Sequence, residues 1–374
     1  MSRPLEELSR QGVAVWVDSI ARDWLQKGEL RRLRDQYSVV GVTSNPTIFQ
    51  KAMGEGSFYD DDIARLAREG RDAGEIFEAL ALDDIRGAAR DLEPVFERNA
   101  GDGYVSFEVP PDLAHDTDAT VREARRLFDA LSLPNVFIKI PATPEGIPAV
   151  RASLASGINI NVTLIFSIDR YREVVEAYMA GLEEFAEAGG DLETVASVAS
   201  FFVSRVDTNV DAKLQAIIDK GGPDAERARA RLGTAGIDNA KLAYEVFEQA
   251  FRGPRWEALA SRGARAQRPL WASTSTKNPA YRDVMYVEEL VARYTVNTMP
   301  IETLEAFQDH GAVRGRTIKE HLDRADALWS DLAALGIDEA TVGKELEDEG
   351  VRKFADSYQA ALDTVEAKRA KLTG

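Results

Sequence analysis

One lysine, Lys139, stands inside an otherwise apolar run, NVFIKI, and is followed at once by IPAT. An amine held among apolar neighbours is a nucleophile toward carbonyl groups, because desolvation disfavours its charged form. Attack on a ketone gives a Schiff base. The protonated imine then draws electrons from a neighbouring carbon–carbon bond and allows it to break. Other readings of Lys139 are a rim residue or half of a buried ion pair. Asp18 and Glu108 are the carboxylates that could move protons in such a reaction. Either could instead be a structural partner of Lys139. Histidine offers little help: His115, His310 and His321 are far apart and none has metal-ligand spacing. There is no cysteine, which excludes disulfides, thiolate catalysis and cysteine metal sites. No metal site is expected.

These residues need a scaffold that gathers them. Short β-rich segments at 13–18, 38–44, 104–109, 135–140, 158–164, 195–200, 269–273 and 294–297 alternate with longer helical stretches. Eight strands separated by helices predict a parallel sheet closed into a (β/α)₈ TIM barrel with additional helices. Alternation within the strands sharpens the prediction. Val13, Val15 and Val17 oppose Ala14, Trp16 and Asp18; Val105, Phe107 and Val109 oppose Tyr104, Ser106 and Glu108. Val136, Ile138 and Ile140 oppose Asn135, Phe137 and Lys139; Ile158, Ile160 and Val162 oppose Asn159, Asn161 and Thr163. An antiparallel sheet with one wet face would show the same alternation, but not the long helices between strands. In a barrel the apolar faces meet the helices and the partly polar faces point inward. Asp18, Asn45, Glu108, Lys139, Thr163 and Ser200 then fall at strand ends, on the face where such barrels carry their chemistry.

Helix signals fill the gaps. Segment 116–131 offers Thr117 as a cap before an amphipathic run, and segment 167–187 carries Tyr171, Val174, Val175, Tyr178 and Leu182 at helical spacing. Helical insertions are expected near 58–99 and 223–264, with a helical tail from about 317. In the tail Val351, Phe354, Tyr358, Ala361, Leu362 and Val365 form one stripe, read as a helix packed on the domain. No repeat or linker is visible, so residues 1–374 read as one elaborated domain. The net charge of −17 argues against a nucleic-acid surface, yet leaves room for a local anion site. The polar start, MSRPLEELSRQG, lacks the apolar core of a signal peptide. No apolar run reaches the roughly 20 residues of a membrane span. A cytoplasmic protein without membrane partners is expected.

The segments DSIARDWL, GVTSNPTIFQKA, VSFEVPPDLAHDT, VFIKIPAT, NINVTLIFS and SFFVSRVD occur in this order over about residues 13–210. Together they resemble the transaldolase family. RPLWASTSTKNP and VNTMPIETLEAF are similar to its longer bacterial members. The resemblance implies that Lys139 forms a Schiff base with a ketose phosphate such as fructose 6-phosphate or sedoheptulose 7-phosphate. Asp18 would handle the proton of the C4 hydroxyl. Glu108 with Thr163 would position a proton-shuttling water. Asn45, Asn161 and Ser200 would bind donor hydroxyls, and Phe202 would line the pocket. Arg205, helped by Ser275 and Lys277, would bind phosphate, for which a guanidinium fork near a helix start is well suited. A dihydroxyacetone unit would pass to an aldose phosphate, glyceraldehyde 3-phosphate or erythrose 4-phosphate, with no cofactor. Two positions depart from the family pattern: Lys277 stands where arginine is frequent, and Ser204 where shorter members often have glycine. Alternatives are a simple aldolase releasing dihydroxyacetone, and a non-catalytic sugar-phosphate binder.

Overall fold

Eight parallel strands close into a barrel in sequence order, each paired with the next and the last with the first. They are β1 (Val13–Val17), β2 (Val39–Thr43), β3 (Tyr104–Glu108), β4 (Val136–Pro141), β5 (Ile160–Ile165), β6 (Ser197–Phe202), β7 (Arg268–Ala272) and β8 (Thr295–Met299). A computed structural model describes residues 3–99 and 101–373. Met1 and Ser2 of the polar start, Ala100 and Gly374 of the tail lie outside the described residues.

All eight expected strands form, and their faces divide as the alternation predicts. Val13, Val15, Val105, Val136, Ile138 and Ile160 join the core between barrel and helices. Ala14, Trp16, Tyr104, Phe137, Val198, Leu270 and Val296 form a second core inside the barrel. Phe137 stacks on Tyr104 at 4.3 Å between ring centres and on Trp16 at 6.1 Å. This aromatic plug fills the end nearest the strand starts; fully burying such side chains contributes roughly 1.5–3 kcal/mol each. Gly41 makes room for it, since a Cβ there would lie 2.2 Å from the Trp16 ring. The polar layer therefore sits on a dry, rigid floor.

Several strands run further than the sequence suggests, so Lys139, Thr163 and Ser200 lie inside β4, β5 and β6, not at their ends. In β5 the reason is local. The pairing of β5 with β6 slips between Val162 and Ile165, and Leu164 adopts a left-handed φ of 60°. Such a bulge breaks the alternation. Leu164 and Phe166 join the inner core while Ile165 joins the outer one.

The helix Thr117–Leu131 is capped by Asp116, whose carboxylate accepts from the Ala119 N–H at 2.9 Å. Thr117, the expected cap, instead donates to the Glu145 carbonyl at 2.7 Å. Asp116 wins because it is the last extended residue, the one whose side chain can reach back over the first turn. The insertions form the helices Asp60–Arg68 and Ala73–Arg98, and Ala225–Arg229, Ala235–Ala250 and Pro254–Ala260. The tail ends in a 35-residue helix, Glu339–Thr373. Phe354, Ala361 and Val365 of its stripe are buried; Val351, Tyr358 and Leu362 are half-buried. Among the described residues no helix is long and apolar enough to cross a membrane.

Candidate active site

The strand register sets the first distances. Glu108 pairs with Lys139 across β3–β4, Lys139 with Asn161 across β4–β5, and Pro141 with Thr163 one step up. All four polar side chains are thus held by hydrogen-bonded backbone, not by loops. Lys139 is 5% exposed, and its amine is hydrogen-bonded. It donates to the Ser44 carbonyl at 2.9 Å and pairs with Glu108 Oε2 at 3.4 Å. Lys139 is therefore both a buried amine and half of an ion pair, two readings that its position in the sequence left apart.

Asp18 follows β1, and its N–H donates to the Met299 carbonyl at 2.8 Å. Its Oδ1 accepts from the Thr43 hydroxyl at 2.6 Å, and Thr43 also shares a hydrogen bond of 2.6 Å with Thr298. Burial pushes the Asp18 carboxyl up from its ordinary value, against the Thr43 hydrogen bond and the charges of Lys139, Arg205 and Lys277. Burial also raises Glu108, against the pull of Lys139 and helped by repulsion from Asp18. Two carboxyls displaced toward their neutral forms are suited to giving and taking protons.

Asn161 lies beneath these groups. Its amide donates to Ser106 Oγ at 3.0 Å, and its carbonyl oxygen accepts from Ser200 at 2.7 Å. Thr163, fully buried, has no partner for its hydroxyl among the described residues. A buried hydroxyl left unpaired costs free energy unless a water or a ligand meets it. Asn45 caps the helix Pro46–Gly54, accepting from the Ile48 N–H at 3.1 Å; Pro46 at the first helical position fixes the turn. The cap engages only its carbonyl oxygen.

Arg205 is the second residue of the helix Ser204–Lys220. Its guanidinium lies 4.9 Å from the centre of the Phe202 ring, and its Nη1 is buried without a partner among the described residues. Desolvation lowers the pKa of Arg205, opposed by the charges of Glu349, Asp18 and Glu108. Ser204 holds the turn that delivers it, donating its N–H to the Ser273 carbonyl at 3.0 Å and sharing a 2.8 Å hydrogen bond with the Ser273 hydroxyl. Lys277 is an exposed rim residue by surface area, bonded to Ser275 Oγ at 2.6 Å. Desolvation by the surrounding walls, then repulsion from Arg205, still lowers its pKa.

A cavity of about 730 Å³ opens at this end of the barrel. Asp18, Asn45, Lys139, Thr163, Ser200, Phe202, Arg205, Ser275 and Lys277 line it. Two expected residues do not. Asn161 hydrogen-bonds Ser106 and Ser200 below the floor. Glu108 borders a separate slot of about 30 Å³, behind the amine, with Phe49, Phe77, Phe107 and Tyr358.

Residues 15–365 match the sequence model of a family described as transaldolase/fructose-6-phosphate aldolase. The chain belongs to that family. Among curated relatives, a transaldolase of Parafrankia sp. (strain EAN1pec) is 54% identical over 98% of both chains. A transaldolase of Acidothermus cellulolyticus is 52% identical over 99% of both, and one of Thermobifida fusca 51% identical over 98% of both. The transaldolase resemblance seen in residues 13–210 thus extends over nearly the whole chain.

Within this transaldolase-family site the sequence reading overlooked Thr43, Thr298, Lys51 and Phe354, all in the cavity wall. Thr43 was findable: in VVGVT it shares the inward face with Gly41 and occupies the strand end. For Phe354 there was no local signal.

Proposed function

We propose that this chain is a cytoplasmic transaldolase that carries a three-carbon ketol unit on Lys139 from a ketose phosphate to an aldose phosphate. The observation that carries the reading is the buried amine of Lys139, in contact with Glu108 and exposed to the same cavity as Asp18, Thr163 and Arg205.

The Lys139 nitrogen adds to the C2 ketone of fructose 6-phosphate or sedoheptulose 7-phosphate. Loss of one water gives the protonated imine, with Glu108 and Thr163 exchanging the protons through that water. The unpaired Thr163 hydroxyl supports this role. Asp18 then takes the C4 hydroxyl proton, the C3–C4 bond breaks, and its electron pair flows to the imine nitrogen. An aldose phosphate leaves and an enamine stays on Lys139. The enamine carbon attacks the aldehyde of glyceraldehyde 3-phosphate or erythrose 4-phosphate, and Asp18 returns its proton to the new hydroxyl. Water reverses the first step and frees the amine. Asp18 suits both directions because burial favours its protonated state while nearby cations favour its charged one.

Arg205, with Ser275 and Lys277, takes the phosphate; the unpartnered Nη1 supports this. Asn45 and Ser200 contact donor hydroxyls. Asn161 serves through Ser200, whose hydroxyl it orients.

Borohydride reduction with fructose 6-phosphate tests the reading. A stable adduct should map to Lys139 and be absent from Lys139→Ala. An unlabelled native protein would remove the mechanism. Dihydroxyacetone release at full donor turnover, with acceptor present, would assign aldolase activity instead.

A further inference from the structure

The C-terminal helix Glu339–Thr373 lies across the cavity and is tied down along its length. Glu339 accepts from the Ile168 N–H at 2.9 Å, Glu345 accepts from Lys213 at 2.7 Å, and Ser357 accepts from Thr47 at 2.8 Å. Near its far end Lys368 donates to Asp60 at 2.8 Å. Gly350 lets it lie close, because a Cβ there would come within 2.9 Å of Leu164. One turn further, Phe354 is delivered into the cavity wall. Its ring centre is 5.7 Å from the Lys139 amine and 6.0 Å from the Arg205 guanidinium carbon. The same ring therefore faces both the reacting nitrogen and the expected phosphate ligand.

We propose that Phe354 is a specificity-determining residue that makes the enzyme a transferase, by shielding the Lys139 enamine from water between departure of one aldehyde and arrival of the next. The proposal rests on the Schiff-base reading above. Two fates compete for the enamine. In transfer, its carbon attacks an acceptor aldehyde. In leakage, the same carbon takes a proton from solvent, water adds to the resulting imine at C2, the C–N bond breaks, and dihydroxyacetone leaves with the free amine regenerated. Leakage needs a solvent proton on the enamine carbon before an acceptor arrives, whereas transfer needs water only afterwards, to hydrolyse the product imine. An apolar ring 5.7 Å from the nitrogen occupies space through which water would reach it. Asp18, Thr163, Ser200 and the Ser44 carbonyl give polar wall around the amine, and Phe202 lines the same cavity beside Arg205. Phe354, from the C-terminal helix, is the ring placed against the amine itself.

The experiment compares native protein, Phe354→Leu and Phe354→Ala with fructose 6-phosphate and erythrose 4-phosphate. It measures dihydroxyacetone released per unit transferred, with borohydride labelling of Lys139 in parallel. Phe354→Ala should raise the release-to-transfer ratio roughly ten-fold, in line with the loss of water exclusion, while Phe354→Leu stays near native. A purely structural role would lower both fates together and leave the ratio unchanged. Normal labelling with an unchanged ratio in Phe354→Ala overturns the proposal alone. No labelling in the native protein overturns the Schiff-base reading and this proposal with it. If Phe354→Ala does not hold its fold, Phe354→Val provides the same comparison, and an unchanged ratio there is equally decisive.

Discussion

Replacing Arg205 by alanine separates phosphate recognition from every other property of the site. The guanidinium lies 4.9 Å from the Phe202 ring centre and 6.0 Å from that of Phe354, with Nη1 buried and unpartnered. A hydrogen bond from such a cation to phosphate is worth roughly 1.5–3 kcal/mol. Allowing for one strong contact and partial compensation by Lys277, the loss should be about 2–3 kcal/mol, or roughly 30- to 150-fold in kcat/KM at about 1.36 kcal/mol per decade. The Lys277 contribution is small because exposed charges are screened. Stability should move differently. Removing the residue forfeits ring contacts worth about 0.5–1 kcal/mol each. It also relieves a buried, unsatisfied donor that costs about 1–3 kcal/mol. The two nearly offset, so the melting temperature should stay level or rise. The assay compares kcat/KM for fructose 6-phosphate with that for fructose, alongside thermal unfolding. Equal losses on both donors would refute the phosphate role, and a marked loss of stability would recast Arg205 as a structural cation.

Asp18→Asn preserves shape and can still accept from Thr43, but cannot take the hydroxyl proton. Imine trapping should survive while carbon–carbon cleavage slows by roughly 10²- to 10⁴-fold, as for loss of a general base; loss of trapping would reassign Asp18 to imine formation. Asp207 gives a pH prediction. It is buried, accepts from the Gly236 N–H and the Tyr286 hydroxyl at 2.7 Å each, and burial pushes it up to about 7 from an ordinary 3.8. Between those values the folded protein holds a proton that the unfolded chain has released, so the stability due to this group falls as pH rises through that window. Asp207→Asn should therefore gain on the native protein in urea unfolding between pH 4 and pH 8. A gap that does not change with pH would show that Asp207 does not titrate there.

The barrel was legible because a two-residue period is a local signal. Val13 to Asp18 and Asn135 to Ile140 each show their inner and outer faces within six residues. Lys139, Glu108 and Asp18 stood out because an ionisable group on an inward face is costly without a purpose. What the strand pattern could not show was set by geometry beyond the strand. Thr163 was expected at a strand end, yet β5 runs through the bulge at Leu164 to Ile165, one residue past its expected end. Ser106 and Ser200, which hydrogen-bond the Asn161 side chain, approach from neighbouring strands. Neither neighbour could be aligned without the register.

Phe354 shows the limit most clearly. Its stripe along the final helix was read correctly as a packing face, since Ala361 and Val365 are buried against the domain. The same face contains a residue with a second task, and periodicity cannot tell the two apart: an apolar side chain that fills a core and one that roofs a cavity have the same composition and spacing. The difference lies in what sits opposite. Ala361 and Val365 meet apolar core alone, whereas Phe354 joins the inner apolar core and also meets Lys139 and Arg205, 215 and 149 residues earlier in the chain. Polar residues in a site betray themselves because their burial conflicts with their chemistry. An apolar site residue violates nothing, so only the closed barrel and the helix laid across it reveal that this ring lies 5.7 Å from the Lys139 amine.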